Sequence, residues 1–276
     1  MTSPVRRILA CWGIAVIGAG AVFAGLALVH DMQVQSRLSD IRTLMVGTSL
    51  VSFGVGVADG GAEALAFGPT PFLRVGYSSG TERQIFALSR SAVAAGVRNL
   101  FIEINPILSR FARSPSDCGI VSWIKQERLD SRDALRAVLS GTDVLSRSTL
   151  NVEDYPVLDS RGPMTEAQIR QRYPIRVTGS CYADRWAALF AADPQMRVVL
   201  MAMPRAPKAR GAIGARVMAE FYAAAQDFAD RTGAHLFIAD LDGVWPASDF
   251  VDLAHLSDAG AARFRAALVA FVTELP

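Results

Sequence analysis

The sequence predicts an α/β fold in which a parallel sheet is covered by helices on both faces, and three observations carry that expectation. Short apolar runs bounded by Gly, Pro or polar residues recur at 42–46, 72–75, 99–104, 197–203 and 234–239, as strands buried on both faces do. Between them apolar residues return at helical spacing: Ile85, Leu88 and Val93 within 82–95, Val217, Phe221 and Ala225 within 213–228, and Phe264, Leu268 and Phe271 within 261–271. Strands alternating with helices call for a parallel sheet, because parallel neighbours need a crossover that a helix supplies. Composition agrees: 51% hydrophobic and 20% charged residues, with 22 Gly and 13 Pro in 276, exclude disordered, collagen-like and coiled-coil chains. The net charge of +2 is spread over 28 basic and 26 acidic side chains, so no concentrated field argues for nucleic acid as a partner.

Taken in chain order, the first element is Ile8–Val29, 22 residues without a charge. At about 1.5 Å per residue it reaches about 33 Å, enough for a bilayer core. Arg6 and Arg7 precede it and His30 and Asp31 come after it, so the positive-inside bias places the N-terminus in the cytoplasm and the remainder outside. A cleaved signal peptide with a site near Ala24 is the competing reading, and its apolar stretch is normally shorter, roughly 7 to 15 residues. A lipoprotein signal ending at Cys11 has no apolar region ahead of the cysteine. The expected organisation is thus an anchor at 1–30, a short polar stalk at 31–40, and an α/β domain at 41–276.

Within the domain the first strand runs into Gly47, Thr48 and Ser49, the second into Gly76 and Gly80, and the third into Glu103, Ile104, Asn105 and Pro106. From 109 to 194 the chain is richer in charge and turn residues, with helical pieces at 131–139, 165–172 and 183–192. An excursion of this length between two strands reads as an insertion forming a lid or a recognition surface. Its Trp123, Tyr182 and Trp186 either pack in the core or stack on a sugar ring. Cys118 and Cys181 are the two cysteines placed in an oxidising compartment, and they either bond or remain separate buried thiols. The fourth long strand leads to Arg205 and the fifth to Asp240 and Asp242, charges on the expected ligand-binding edge that are structural or, for Arg205, able to orient an acidic substrate. Last come Asp252, Leu253, Ala254 and His255, in a loop before a helix capped by Ser257.

Chemistry enters at the carboxyl ends of these strands, where open α/β sheets bind ligands. Ser49 stands just past the first strand, after the glycine of a tight turn, with its own N–H free to donate to an oxyanion. A carboxylate three residues from an imidazole, as Asp252 is from His255, can fix the ring's tautomer and stabilise the imidazolium formed when it takes a proton from a serine. Of the three histidines, His30 falls at the membrane edge and His235 begins a strand, which leaves His255 as the general base. No His, Cys, Asp and Glu cluster has metal-ligand spacing and no glycine loop with Lys would cradle phosphate, so no cofactor is expected.

Gly-x-Ser near the start of the domain, a Gly after the second strand, an Asn after the third and Asp-x-x-His near the C-terminus together resemble the SGNH, or GDSL-like, hydrolase superfamily. The resemblance covers about 41–112 and 196–276 and leaves the insertion unmatched. It implies a three-layer α/β/α, flavodoxin-like fold, Ser49 as nucleophile, Asp252 and His255 as its triad partners, and Ser49 and Gly80 as backbone and Asn105 as side-chain oxyanion donors, with Gly76 competing for the role of Gly80. Two departures stand out. The usual Gly-Asp-Ser is Gly-Thr-Ser here, a form similar to the membrane-linked or periplasmic branch that O-acetylates exopolysaccharides, and the usual Gly-x-Asn-Asp block is reduced to Glu103–Pro106. The resemblance and the apolar N-terminus together imply a serine acyl-esterase or O-acyltransferase, held by residues 8–29 in a bacterial inner membrane with its domain in the periplasm. It would act on an envelope polysaccharide or another acylated small molecule, and a polytopic membrane-bound O-acyltransferase is the implied partner. The alternative is a catalytically idle scaffold or glycan-binding module.

Overall fold

The structure is a computed structural model describing residues 4–55, 67–68, 71–77, 80–111, 118–119, 175–241 and 245–275, together with 135–146, 148–149 and isolated positions between 124 and 171. Its parallel sheet contains β1 (Thr43–Thr48), β2 (Phe72–Tyr77), β3 (Asn99–Glu103), β6 (Arg197–Ala202) and β7 (His235–Ile238), in the order β2-β1-β3-β6-β7. All four pairings are parallel, and Thr48 is the register partner of Tyr77. This is a doubly wound order, whose direction of winding reverses between β1 and β3 and opens a crevice at their carboxyl ends. The five strands coincide with the five apolar runs.

Side chains alternate between the two faces, as strand geometry requires. Leu44, Val46, Leu100 and Ile102 point to one layer, formed by α1 (Pro4–Leu38), α3 (Glu82–Ala94), α5 (Ala183–Ala191) and α7 (Ala215–Thr232). Met45 and Phe101 point to the other, formed by α2 (Ser49–Val55) and α8 (Asp258–Glu274). Local chemistry sets the helix ends. Thr81 and Gln84 form a capping box at the start of α3, and Gly233, with φ 67°, ends α7 in the left-handed conformation. Two short helices, α4 (Asn105–Leu108) and α6 (Pro207–Ile213), come directly after β3 and β6.

The expected stalk at 31–40 is replaced by helix. α1 continues unbroken to Leu38, and Val34, Leu38 and Ile41 are buried in the core beside α3. These three residues recur at helical spacing within an otherwise polar stretch, and burying them outweighs the local polarity. Further back, α1 is long and apolar enough to cross a membrane, and Trp12, Ile14, Ile17, Val22 and Leu28 are exposed.

The insertion opens and closes on one small sheet, β4 (Ser109–Phe111) antiparallel to β5 (Ile175–Val177), so its two ends lie side by side. The helical piece expected at 183–192 is α5. Of those at 131–139 and 165–172, the described positions are largely helical, and the rest fall outside the described residues. Cys118 and Cys181 are disulfide-bonded, with Cα atoms 5.4 Å apart. Glu82, in the first turn of α3, holds that junction. It accepts hydrogen bonds from the Ser180 hydroxyl, the Cys181 N–H (2.8 Å) and Trp186 Nε1 (3.1 Å), and burial pushes its carboxyl above the ordinary range. Trp186 is fully buried, with Phe86 edge-on to it and Tyr182 stacked on Phe86, so both insertion aromatics pack in the core. Trp123 lies outside the described residues.

Candidate active site

Ser49 opens α2 immediately after β1, so its N–H has no acceptor in the helix ladder. The turn that delivers it depends on Gly47. A Cβ there would come within 2.4 Å of Val51 Cγ2 and 2.6 Å of Glu103 Cβ, so only glycine lets the end of β1 pass this close to β3 while α2 folds back. Gly76 serves α2 in the same way, since a Cβ would fall 1.9 Å from Ser52 Oγ.

Across the turn stands Glu103, the last residue of β3 and fully buried. Its Oε2 accepts the Thr48 N–H at 2.6 Å, and the Thr48 hydroxyl reaches Oε2 at 2.8 Å and Oε1 at 3.1 Å while accepting the Leu50 N–H at 3.2 Å. The carboxylate therefore clamps the residue that precedes Ser49. Burial pushes the Glu103 carboxyl up to about 7, while the Thr48 hydrogen bonds and the charges of Arg205 and His255 pull against that rise.

His255 arrives from the other end of the chain. Phe250 and Leu256 form an antiparallel bridge, and the Val251 N–H donates to the His255 carbonyl at 2.9 Å, closing the loop that presents Asp252 and His255. Ser257, at the N-cap of α8, then accepts the Gly260 N–H at 3.3 Å. Asp252 Oδ1 accepts the Ala254 and His255 N–H groups, both at 2.7 Å, and its Oδ2 lies 2.7 Å from His255 Nδ1. A carboxylate only accepts, so Nδ1 carries the proton and the Nε2 lone pair faces outward. Ser49 Oγ is 2.9 Å from Nε2. Burial raises the Asp252 carboxyl, but the hydrogen bonds from His255 and Ala254 hold it below the ordinary range. Phe53, one helical turn after Ser49, lays its ring 4.6 Å from the imidazole, and the His255 side chain keeps only 14% of its surface exposed. Ser49, His255 and Asp252, three residues selected from the sequence, thus form one hydrogen-bonded relay.

The other candidates are placed differently. Gly80 packs against the turn at Gly47–Ser49, 3.5 Å from the Gly47 carbonyl at its Cβ position, but its N–H donates to the Tyr77 carbonyl at 3.2 Å. Gly76, its competitor, gives its N–H to the Ser148 carbonyl at 2.8 Å. Asn105 is buried and bridges to the loop after β6, with its Oδ1 accepting the Met203 N–H at 2.9 Å and its Nδ2 donating to the Met203 carbonyl at 3.4 Å. The second Nδ2 hydrogen is the one an oxyanion would use. Arg205 is 8% exposed, and its charge falls on Glu103 and Tyr222. Asp240 is buried and bound by Arg210 and by the Tyr222 hydroxyl at 2.7 Å, a structural pairing. Asp242 lies outside the described residues.

Sequence reasoning missed the part of two contributors. Phe53 stands four residues after Ser49 on one helix, a spacing that places both on one face. Glu103 was visible only as a strand-end charge, although a glutamate closing an apolar run, one strand away from a Gly-x-Ser turn, is the available signal.

Glu103 sets an expected pH dependence of stability. The folded protein holds its proton more tightly than an ordinary glutamate near 4.5 does. Its contribution is therefore full below that value and is lost as pH rises through about 7, a change on the order of 3 kcal/mol. Asp252 works in the opposite sense, with a contribution lost only as pH falls below the ordinary carboxylate range. In thermal melts compared at about pH 5 and about pH 8, the wild type should lose more stability toward the alkaline side than Glu103→Gln does. Identical pH profiles would show that the Glu103 proton is not linked to folding.

Among the described residues no group of three His, Cys, Asp or Glu side chains could hold a metal ion. No family model matches the sequence, and no curated protein is significantly similar to it.

Proposed function

We propose that this chain is an exported, membrane-anchored serine acyl-esterase or O-acyltransferase of the SGNH type, most simply an O-acetyl one, acting on an envelope or extracellular polysaccharide. The observation that carries the reading is the relay from Ser49 through His255 to Asp252, at the carboxyl edge of a doubly wound sheet and beside the crevice between β1 and β3. The 2-1-3-4-5 order of the five sheet strands supports the three-layer, flavodoxin-like assignment.

In the proposed cycle His255 Nε2 takes the Ser49 proton as Oγ attacks an ester carbonyl. Asp252 stabilises the imidazolium, and the proton then passes to the leaving alcohol oxygen as the ester C–O bond breaks. The Ser49 N–H and the second Asn105 Nδ2 hydrogen are the donors best placed for the developing oxyanion, with Gly80 joining if its turn opens. Water resolves the acyl-serine in a hydrolase and a sugar hydroxyl in a transferase. Placement outside the cytoplasm favours transfer. A domain there has no cytosolic acyl donor, so a polytopic membrane-bound O-acyltransferase would hand the acyl group across. Arg205 would orient an acidic substrate through its field rather than by direct contact.

The test is a p-nitrophenyl acetate assay with and without a deacetylated envelope polysaccharide. The expected result is a nitrophenol burst stoichiometric with enzyme, and then acetyl appearing on the polysaccharide. Acetate released to water alone would select the hydrolase, and the absence of both burst and turnover would select the idle scaffold or glycan-binding module.

A further inference from the structure

We infer that the catalytic edge of the sheet faces the bilayer, so that the ester attacked by Ser49 is an amphiphile presented at the membrane surface. The inference rests on the proposed membrane anchoring and deepens the proposed acyl chemistry.

The direction of α1 carries it. Leu38 ends α1 beside the amino edge of the sheet: Ile41 N–H returns to the Leu38 carbonyl, and Arg42 exchanges hydrogen bonds with Pro71 and Arg98, the residues that lead into β2 and β3. One to two turns earlier, Val34, Asp31 and His30 line a cleft shared with Tyr77, the last residue of β2, and Gln84, in the first turn of α3. Both are carboxyl-edge positions, and Tyr77 is level with Thr48. α1 therefore runs antiparallel to the strands, from the edge that holds Ser49 down to the amino edge, and its earlier residues lie on the Ser49 side.

Extension is then arithmetic. A six-residue strand spans roughly 20 Å, and α1 covers that height in about 13 residues. Residues before about 26 consequently project past the carboxyl edge. Trp12, Ile14, Ile17 and Val22, between 62% and 74% exposed, have no protein cover there. A bilayer around this segment lies over the catalytic edge and not beneath the opposite one.

The edge itself carries matching side chains. Leu241, just after β7, is 67% exposed, and Val251, whose N–H holds the His255 carbonyl, is 60% exposed. Val251 sits in the loop that presents His255 and Leu241 at the carboxyl end of β7, so both aliphatic groups are on the edge that α1 places toward the bilayer, where a lipid surface can cover them.

The test uses the full chain with Cys11→Ser, reconstituted in phosphatidylcholine and phosphatidylglycerol vesicles containing a headgroup-nitroxide lipid. A bimane fluorophore is placed in turn at Leu241→Cys, Val251→Cys and, on the amino edge, Gln195→Cys. Strong quenching at both carboxyl-edge positions and its loss at 195 is the expected result. Equal quenching at all three, or quenching confined to 195, overturns the orientation. Each labelled protein is also treated with a fluorophosphonate. Reactivity at Ser49 with the wrong quenching pattern sinks the orientation alone, whereas the expected pattern in an unreactive protein sinks the acyl chemistry and leaves the orientation standing. Two carboxyl-edge positions keep the test decisive if one substitution prevents folding.

Discussion

Ser49→Ala should lower turnover of an acyl ester by about 10⁶-fold while leaving the fold intact. In the proposed cycle the hydroxyl forms the acyl bond, and its loss removes a partner of His255 Nε2 without disturbing the backbone around Gly47. His255→Ala should cost nearly as much, because a serine hydroxyl with no base at 2.9 Å is a poor nucleophile at neutral pH. The double variant should be scarcely worse than either single one, since residues acting as a unit are strongly non-additive. Steady-state rates for the three variants check this. Additive losses would mean that serine and histidine act independently, and a Ser49→Ala loss of only about tenfold would mean that another group is the nucleophile.

Gly47→Ala is the second large effect, and it acts through packing. Its methyl group would sit 2.4 Å from Val51 Cγ2 and 2.6 Å from Glu103 Cβ and Oε2, distances that no carbon tolerates. One side must move. Moving Glu103 loosens its grip on Thr48, and moving Val51 tilts α2, and either displaces Ser49 from Nε2. Overpacking of this kind costs about 1–3 kcal/mol, and a displacement of about 1 Å at a reacting atom costs about 10²-fold in rate. Gly211→Ala is the control. It lies in α6, its Cβ would meet nothing within 4 Å, and removing a helical glycine should stabilise by about 0.5–1 kcal/mol without touching activity. Thermal melts and ester turnover on the two variants should move in opposite directions for stability, and only Gly47→Ala should lose activity.

The contrast between these glycines shows what could be read from the sequence. The five sheet strands were legible because β1, β2, β3 and β6 are buried almost throughout and even the edge strand β7 is mostly apolar, so each reads as a short, mainly apolar run. Ser49, Asp252 and His255 were legible because strand–Gly-x-Ser and Asp-x-x-His each place a reactive group by local geometry. The continuation of α1 through 31–38 was hidden because Val34 and Leu38 are outnumbered by polar neighbours. β4 and β5 were hidden because three-residue strands carrying Arg110 and Arg176 are held by pairing across the whole insertion, a long-range contact with no local signature. Glu103 and Asn105 show a different limit. On paper a strand-end glutamate reads as one more structural charge on the active-site edge, and an asparagine after a strand as an oxyanion donor or a turn residue, yet Glu103 is fully buried under Thr48 and Asn105 gives much of its amide to Met203. What each does is decided by where its partners' backbone runs.

The central claim is that the Ser49 hydroxyl is an activated nucleophile. Treating the reconstituted full-length protein with a fluorophosphonate and mapping the adduct by peptide mass measures this directly. Wild type should carry the phosphonyl group on Ser49, with labelling abolished in Ser49→Ala and strongly slowed in His255→Ala. A wild-type protein that stays unlabelled, or one labelled at a different serine, would contradict the account.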